Sequence, residues 1–412
     1  MNKIELLAPA GDLEKLKFAL HYGADAVYIG GQIFGLRAAA KNFSFEDMKT
    51  GIAYAHERGR KVYLTLNIIP HNNDIEQLKA YIDVVRELKP DAVILSDPGT
   101  LMYVRELMPE MEIHLSTQAN NTNYMSARFW HQQGVKRVIL ARELSFEEIA
   151  GIRENTPETL SLEAFVHGAM CISYSGRCLL SNYLNGRDAN RGACSQPCRW
   201  QYHLMEQTRP NEYYPVVETE EGTFFFNSKD LCMIEHIPEL IHSGLDSLKI
   251  EGRMKSVYYV ANIIRAYREA IDTYYRDPDG FVYNPKWFED IRKASHREFT
   301  KGFYYHKPTQ LDQLYSSSSY IREYDFIGIV TDYNPETKMA TVEQRNHFKL
   351  GDFVEVMGPN YFEKTFTIDA IYNEDGTAVD RAPHAQQILK IPMPFAVAPL
   401  DILRKPKEVP NE

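Results

Sequence analysis

The sequence predicts an α/β chain: a TIM-like (β/α)8 barrel with a Cys-rich insertion after its seventh strand, followed by a small C-terminal β-barrel. Three observations lead there: a repeated phrase, a count of eight apolar runs separated by helical stretches, and a change of periodicity near the end. The phrase recurs as "HYGADAVYIGG" (21–31), "ELKPDAVILSD" (87–97), "QQGVKRVILAR" (132–142) and "HSGLDSLKIEG" (242–252). Each time a helical stretch stops at Gly or Pro, a polar step follows, and a β-favouring run leads into glycine or charge. Glycine suits the left-handed position that ends a helix, and a short continuous apolar run suits a strand buried on both faces.

Taken in order, the predicted strands are 4–7, 26–29, 62–66, 92–95, 112–115, 137–140, 160–165 and 247–250. Stretches with helical spacing separate most of them, such as Leu13, Leu16, Ala19 and Leu20 after the first. After the last, Val260, Ile263, Ile264, Tyr267, Ile271 and Tyr274 mark one face of a long helix. Eight βα units favour a closed barrel, with a doubly wound open sheet as the alternative. The seventh unit breaks the spacing, and the cysteines lie in the long segment before the eighth strand. That places them after a strand's C-terminal end, where barrel enzymes hold their chemistry. Within this segment 213–230 reads as a hairpin leading to a helix from about Ser228. Leu231, Ile234, Ile237 and Ile241 form the face of that helix, with Cys232 as core filling. The expected division is a barrel over 1–310 with its insertion at about 168–228, a linker over 311–324 containing "YSSSSY", and a β-barrel over 325–412. In that last part "DFIGIVTDYNPETKMATVEQ" alternates apolar and polar residues around an Asn-Pro turn.

The chain has 412 residues, 44% of them hydrophobic, which suffices for a full core. It shows neither an export signal nor an uninterrupted apolar stretch of membrane-spanning length, so a soluble, cytoplasmic protein with no membrane partner is expected. The net charge of -10 argues against indiscriminate nucleic-acid binding but allows a local basic patch. One such patch lies at 171–200, where Arg177, Arg187, Arg191 and Arg199 stand against Asp188 alone. A solvated surface loop is the plainer reading of those charges.

Four of the five cysteines fall at Cys171, Cys178, Cys194 and Cys198, a C-x6-C-x15-C-x3-C spacing. In a reducing compartment such a cluster suits a metal better than disulfides. No C-x-x-C redox pair is present. Structural zinc favours tight pairs on both sides, whereas the irons of a [4Fe-4S] cluster accept thiolates at irregular spacing. The spacing leaves iron–sulfur, zinc and four unmetallated thiols open.

The stretch "EAFVHGAMCISYSGRCLLS" (163–181) resembles the signature of the collagenase-like peptidase family, with Glu163, Phe165, Gly168, Cys171, Gly176, Cys178 and Ser181 in place. The resemblance extends through 6–31, "SLKIEGRMKS" (247–256) and "REFTKGFYY" (297–305). Within the family the sequence looks most like members that form 5-hydroxyuridine at the wobble position of tRNA with prephenate as co-substrate. Others act in ribosomal RNA or quinone hydroxylation, and members are thought to work in pairs. The resemblance implies a [4Fe-4S] cluster on Cys171, Cys178, Cys194 and Cys198, with tRNA, prephenate and a paralogous subunit as partners.

A peptidase needs a nucleophile with a base, or a metal with an activated water. No H-E-x-x-H or G-x-S-x-G occurs, and Cys171 with His167 is the one couple to consider. Against this, a thiolate that ligates a cluster cannot attack a peptide bond. The strand ends would bring Asn67, Asp97, Gln118, Arg142, Glu143, His167, Lys249, Glu251 and Arg253 to the barrel mouth. From these, His167, Glu163 and Glu251 are the candidate catalytic residues. Arg142, Arg253, Lys249, Asn67 and Gln118 are the candidates for substrate, with the two arginines as carboxylate holders. The plainer readings are rim salt bridges to Glu143 or Glu251 and a structural histidine. For RNA, the loop arginines and Lys349 of the C-terminal domain are the candidate surfaces. A non-catalytic accessory subunit is the third reading.

Overall fold

The computed structural model describes residues 3–36, 41–171, 173–199, 218–219, 222–223, 228–307 and 320–407. Eight parallel strands close on themselves: β1 (Glu5–Pro9), β2 (Ala26–Gly30), β3 (Lys61–Leu66), β4 (Ala92–Leu95), β5 (Glu112–Leu115), β6 (Arg137–Ile139), β7 (Ser161–Ala169) and, completing the ring, β11 (Ser247–Ile250). β11 pairs in parallel with both β7 and β1, so the sheet is a barrel and the doubly wound alternative falls. Between the strands run α1 (Leu13–His21), α2 (Phe45–His56), α3 (Ile75–Leu88), α4 (Pro98–Leu107), α5 (Tyr124–Gln132) and α6 (Phe146–Glu154).

Local chemistry explains where these helices start and stop. Asp12, Ser44, Asp97, Asn123 and Ser145 each accept a backbone N–H in the first turn, which satisfies a donor that the helix leaves orphaned. The repeated phrase supplies the stops. Gly23, Gly134 and Gly244 all take positive φ, and in the one phrase built on Lys-Pro, Lys89 adopts the left-handed conformation instead.

The seventh unit differs from its prediction. β7 runs on to Ala169 because β10 (Asp230–Cys232) pairs antiparallel with its overhang, Leu231 opposite Gly168 and Cys232 opposite His167. The expected helix from Ser228 is therefore a strand at first. A short 3-10 turn follows, and α8 (Ile237–His242) begins later. Leu231 and Cys232 are buried as expected, but the backbone hydrogen bonds they make to β7 hold them extended. Burial pushes the Cys232 thiol up to about 11, which suits an inert core filler. Of the expected hairpin at 213–230, the ladder β8 (Glu218–Thr219) with β9 (Gly222–Thr223) is described. Apart from 228–230, the rest of that hairpin, and most of "YSSSSY", lie outside the described residues. After the barrel come α9 (Val257–Arg276), α10 (Pro285–Lys293) and β12 (Phe299–Thr300). Every apolar position predicted for the long helix is buried in α9.

The C-terminal part is an antiparallel β domain. Tyr324–Asn334 pairs with Met339–Gln344 around the predicted turn and with Ile402–Pro406 on its other side. Its own core gathers Ile327, Val342, Phe348, Val356, Ile391 and Leu403, while Ile329, Met357 and Ile402 join the barrel's apolar cluster. Arg404, fully buried, bridges the two domains: Nη2 lies 2.6 Å from Asp290 of α10 and Nε 2.9 Å from Glu355 of the β domain. The hydroxyl of Tyr22 on the barrel donates to the carbonyls of Met357 and Leu400, both at 3.0 Å. A buried arginine held by two carboxylates is costly to separate, so the β domain is fixed against the barrel beside its mouth.

Candidate functional site

A cavity of about 620 Å3 opens at the C-terminal ends of the barrel strands. Three parts of the chain build it. The strand ends contribute Asn67, Gln118, Arg142, Lys249, Glu251 and Arg253; the insertion contributes Cys171, Cys178, Cys194 and Cys198; and the approach to the β domain contributes Tyr320, Arg322 and Phe326. All five candidate substrate residues and all four candidate metal ligands thus face one space.

The insertion is tied down residue by residue. Asn190 accepts from the backbone N–H of Cys178 and donates to its carbonyl, both at 3.2 Å. Glu143 accepts from the N–H and hydroxyl of Ser175, and Arg191 makes a two-pronged contact to Asp74. Arg177 Nε donates to the Gln118 carbonyl at 2.6 Å. These contacts assign Glu143 to holding the loop. Asp97 is occupied in capping α4. Gly168 has φ +108 and packs so closely on Glu251 that a Cβ there would clash with its backbone.

The four cysteines form no disulfide, each is partly exposed at the cavity, and the backbone N–H of Gln196 points at Cys194 Sγ at 3.4 Å. Among the described residues, no three His, Cys, Asp or Glu side chains are gathered as a ready-made chelate. The donor set is of the kind that a thiolate-ligated group takes: four cysteines line one cavity, with an N–H directed at one sulfur.

Beneath the cavity floor lies a chain of buried charges. Glu163, fully buried, accepts from Lys249 Nζ at 2.8 Å and from Arg137 at 3.0 Å, and Arg137 also reaches Glu5 at 2.5 Å. Burial alone would raise the Glu163 carboxyl, but Lys249 and Arg137 outweigh it and hold the group below its ordinary range. For the same reason Arg137 keeps Glu5 down at about 2 despite burial. Burial lowers Lys249, and Glu163 only partly offsets that. The Lys249 ammonium also lies 4.4 Å from the Tyr28 ring centre and 5.4 Å from that of Phe165. Arg142 stacks its guanidinium 4.0 Å above the same Phe165 ring and sits 3.7 Å from Glu251.

The candidates therefore separate. Arg142 and Lys249 bring positive charge to the cavity, and the rim pairing of Arg142 with Glu251 is present but longer than a hydrogen bond. Arg253 reaches the cavity with its terminal nitrogens already donating to the Leu36 carbonyl, Thr65 and Asn42, so it braces the wall. Gln118, 5% exposed, keeps its side-chain oxygen without a hydrogen-bond partner among the described residues. Glu163 lies behind Lys249, outside the cavity lining, and acts by positioning it. His167 also lies outside the lining, packed among the rings of Tyr259, Tyr267 and Phe299. Its ring is neutral, since burial, helped by Lys255 and His296, lowers it to about 3. These surroundings give the histidine the structural role and leave Glu251, of the three catalytic candidates, on the cavity. Sequence reasoning missed the aromatic wall of Tyr28 and Phe165 and the part taken by Tyr320, Arg322 and Phe326. The continuous apolar runs of β2 and β7 carried no sign of which faces Tyr28 and Phe165 would take, and a distant segment had no reason in sequence to meet the mouth.

Comparison with known proteins places this geometry in context. Residues 11–314 match the model of Peptidase family U32, and residues 322–404 match that of the Peptidase family U32 C-terminal domain. The chain is 44% identical over 406 residues to tRNA hydroxylation protein P1 of Bacillus subtilis, covering 98% of this chain and 96% of that one. It is 39% identical to tRNA hydroxylation protein P of Escherichia coli, covering 96% and 94% respectively. It is also 31% identical to a collagenase of Porphyromonas gingivalis, covering 98% of each chain.

Proposed function

Since this chain belongs to Peptidase family U32, we propose that its cavity serves the hydroxylation of tRNA, forming 5-hydroxyuridine at the wobble position with prephenate as co-substrate, in the cytoplasm. One observation carries the reading: four thiols and the cations Arg142 and Lys249 line the same cavity at the barrel mouth. Relatives named for tRNA hydroxylation, similar along nearly the whole chain, supply the substrate class.

Cys171, Cys178, Cys194 and Cys198 would hold a [4Fe-4S] cluster, which supplies one-electron chemistry when bound. The chain's own groups do the rest. Prephenate carries two carboxylates; Arg142 can take one through paired N–H donors, and Lys249 offers a point charge to the other. Glu163 favours the charged form of Lys249 and fixes its direction. The rings of Phe165 and Tyr28 form an apolar wall for the carbon ring of the metabolite, and the Gln118 oxygen accepts from its hydroxyl. Burying these charges between aromatic faces strengthens their hold and excludes water. The uridine must leave its stack to reach the cavity, as bases do in RNA-modifying enzymes.

The collagenase relative favours a peptidase as second reading. His167, buried away from the cavity, is unsuited to serve as the base that a cysteine nucleophile would need.

The test is nucleoside mass spectrometry of total tRNA from cells with and without the gene, rescued by the intact protein or by Cys194→Ala. Loss of 5-hydroxyuridine derivatives, restored only by the intact protein, is the expected result. An unchanged profile sets the proposal aside in favour of ribosomal RNA, quinone or peptide substrates.

A further inference from the structure

The insertion exposes side chains that neither the thiols nor the barrel core explain. Tyr183 is 87% exposed and Leu179 71%, and Tyr174 stands half out of the surface. Leu179 and Tyr183 lie beside and on α7 (Leu180–Asn185), Tyr174 opens the 3-10 turn Tyr174–Gly176, and none of the three lines the cavity that the four cysteines line. Folded chains place large rings in water at a cost unless something covers them. Two exposed arginines share this lip: Arg187 Nε is anchored on the Ala193 carbonyl at 3.1 Å and Arg177 Nε on that of Gln118 at 2.6 Å. Between residues 171 and 199 the sequence has four arginines, no lysine or glutamate, and Asp188 as its one acidic residue. That carboxylate accepts from the backbone N–H of Asn190 at 2.8 Å.

From this juxtaposition we infer that the outer lip of the insertion, with Tyr183 as stacking platform and Arg187 and Arg177 as phosphate contacts, binds the single-stranded part of an RNA substrate. The inference rests on the tRNA reading above and adds the surface by which the strand is held. Charge complementarity selects the occupant, because a chain of net charge -10 carries beside its cavity a lip whose sequence has four arginines against one aspartate. Aromatic rings interleaved with arginines suit unstacked bases, since every base offers a π-face, whereas a duplex hides those faces. The lip is also stiff: Ser181 and Ser195 share a hydrogen bond at 3.0 Å, and Asn185 donates to Ser195 at 2.6 Å. A base stacked on Tyr183 is thereby fixed relative to the cavity, and the neighbouring nucleotide can reach inward.

The experiment is fluorescence anisotropy on the full chain with a labelled anticodon stem–loop RNA carrying uridine at the wobble position, and with the same loop sequence closed into a duplex. Tyr183→Ala should weaken stem–loop binding by about tenfold, in line with the loss of one base–aromatic stack, and Tyr183→Phe should restore it. Arg187→Ala should reduce the slope of log affinity against log salt by about 0.7, and the duplex should bind more weakly than the loop. Tyr183 is nearly fully exposed, so thermal unfolding should be the same in all three proteins. Wild-type protein that binds neither RNA overturns this inference together with the tRNA reading. Wild-type binding that both alanine variants match overturns the inference alone. Unaltered RNA binding combined with lost modification in cells assigns the lip to a protein partner and likewise overturns it.

Discussion

Replacing Glu163 by Gln tests the buried charges under the cavity most directly. Lys249 Nζ is 2.8 Å from one Glu163 oxygen and Arg137 is 3.0 Å from the other, and all three side chains are at least nine-tenths buried. Arg137 retains Glu5 at 2.5 Å after the change, whereas Lys249 exchanges its carboxylate for a neutral amide oxygen and keeps only the Glu251 charge and aromatic faces at 4.4 and 5.4 Å. Removing one member of a buried pair typically costs about 3–5 kcal/mol, chiefly because the other charge stays without a partner. Burial already lowers Lys249, so without the carboxylate the lysine loses its proton far more readily and the cavity loses a positive charge. Urea unfolding at neutral pH should therefore show a loss of about 3–5 kcal/mol in Glu163→Gln. Lys249→Met added to Glu163→Leu should recover most of it, because no unpaired charge then remains. A loss of less than about 1 kcal/mol in the single variant, the ordinary scale of a neutral hydrogen bond, would refute the buried pairing of Glu163 with Lys249. A double variant no more stable than the single would refute it too.

Three further outcomes follow from particular contacts. His167 sits at about 3 in the fold against about 6.5 unfolded, so unfolding takes up a proton between those values. The stability this residue contributes is complete above about pH 6.5 and falls by up to roughly 5 kcal/mol as pH drops toward 3; His167→Phe should flatten that part of a stability–pH profile. Gly30→Ala places a methyl group against the Arg253 guanidinium, and the displaced arginine should cost about 1–3 kcal/mol in thermal unfolding and lower 5-hydroxyuridine formation in cells. Asn190→Ala removes both contacts to the Cys178 backbone, so under the proposed cluster assignment the iron content of anaerobically purified protein should be lower than in wild type, while the barrel's far-ultraviolet circular dichroism stays unchanged.

Much of this molecule can be read from the order of its residues, because helix caps, stops and buried parallel strands are local signals. Asp12, Ser44, Ser145 and the stops after α1, α5 and α8 act through neighbours a few positions away. Eight buried parallel strands in sequence leave few alternatives to a ring. The clustering of four cysteines within 28 positions likewise singles out the insertion without any knowledge of the fold. Tertiary structure alone decided which polar residues serve that site. Glu163 and Lys249 are 86 positions apart and meet because β7 and β11 are adjacent, and their burial makes each necessary to the other. His167 follows Phe165 by two positions, yet the overhang of β7, paired with β10, turns it among rings while Phe165 faces the cavity. Whether a side chain is a ligand group or a pillar depends on what surrounds it in space, and that is set by the closing of the barrel and the seating of the insertion upon it.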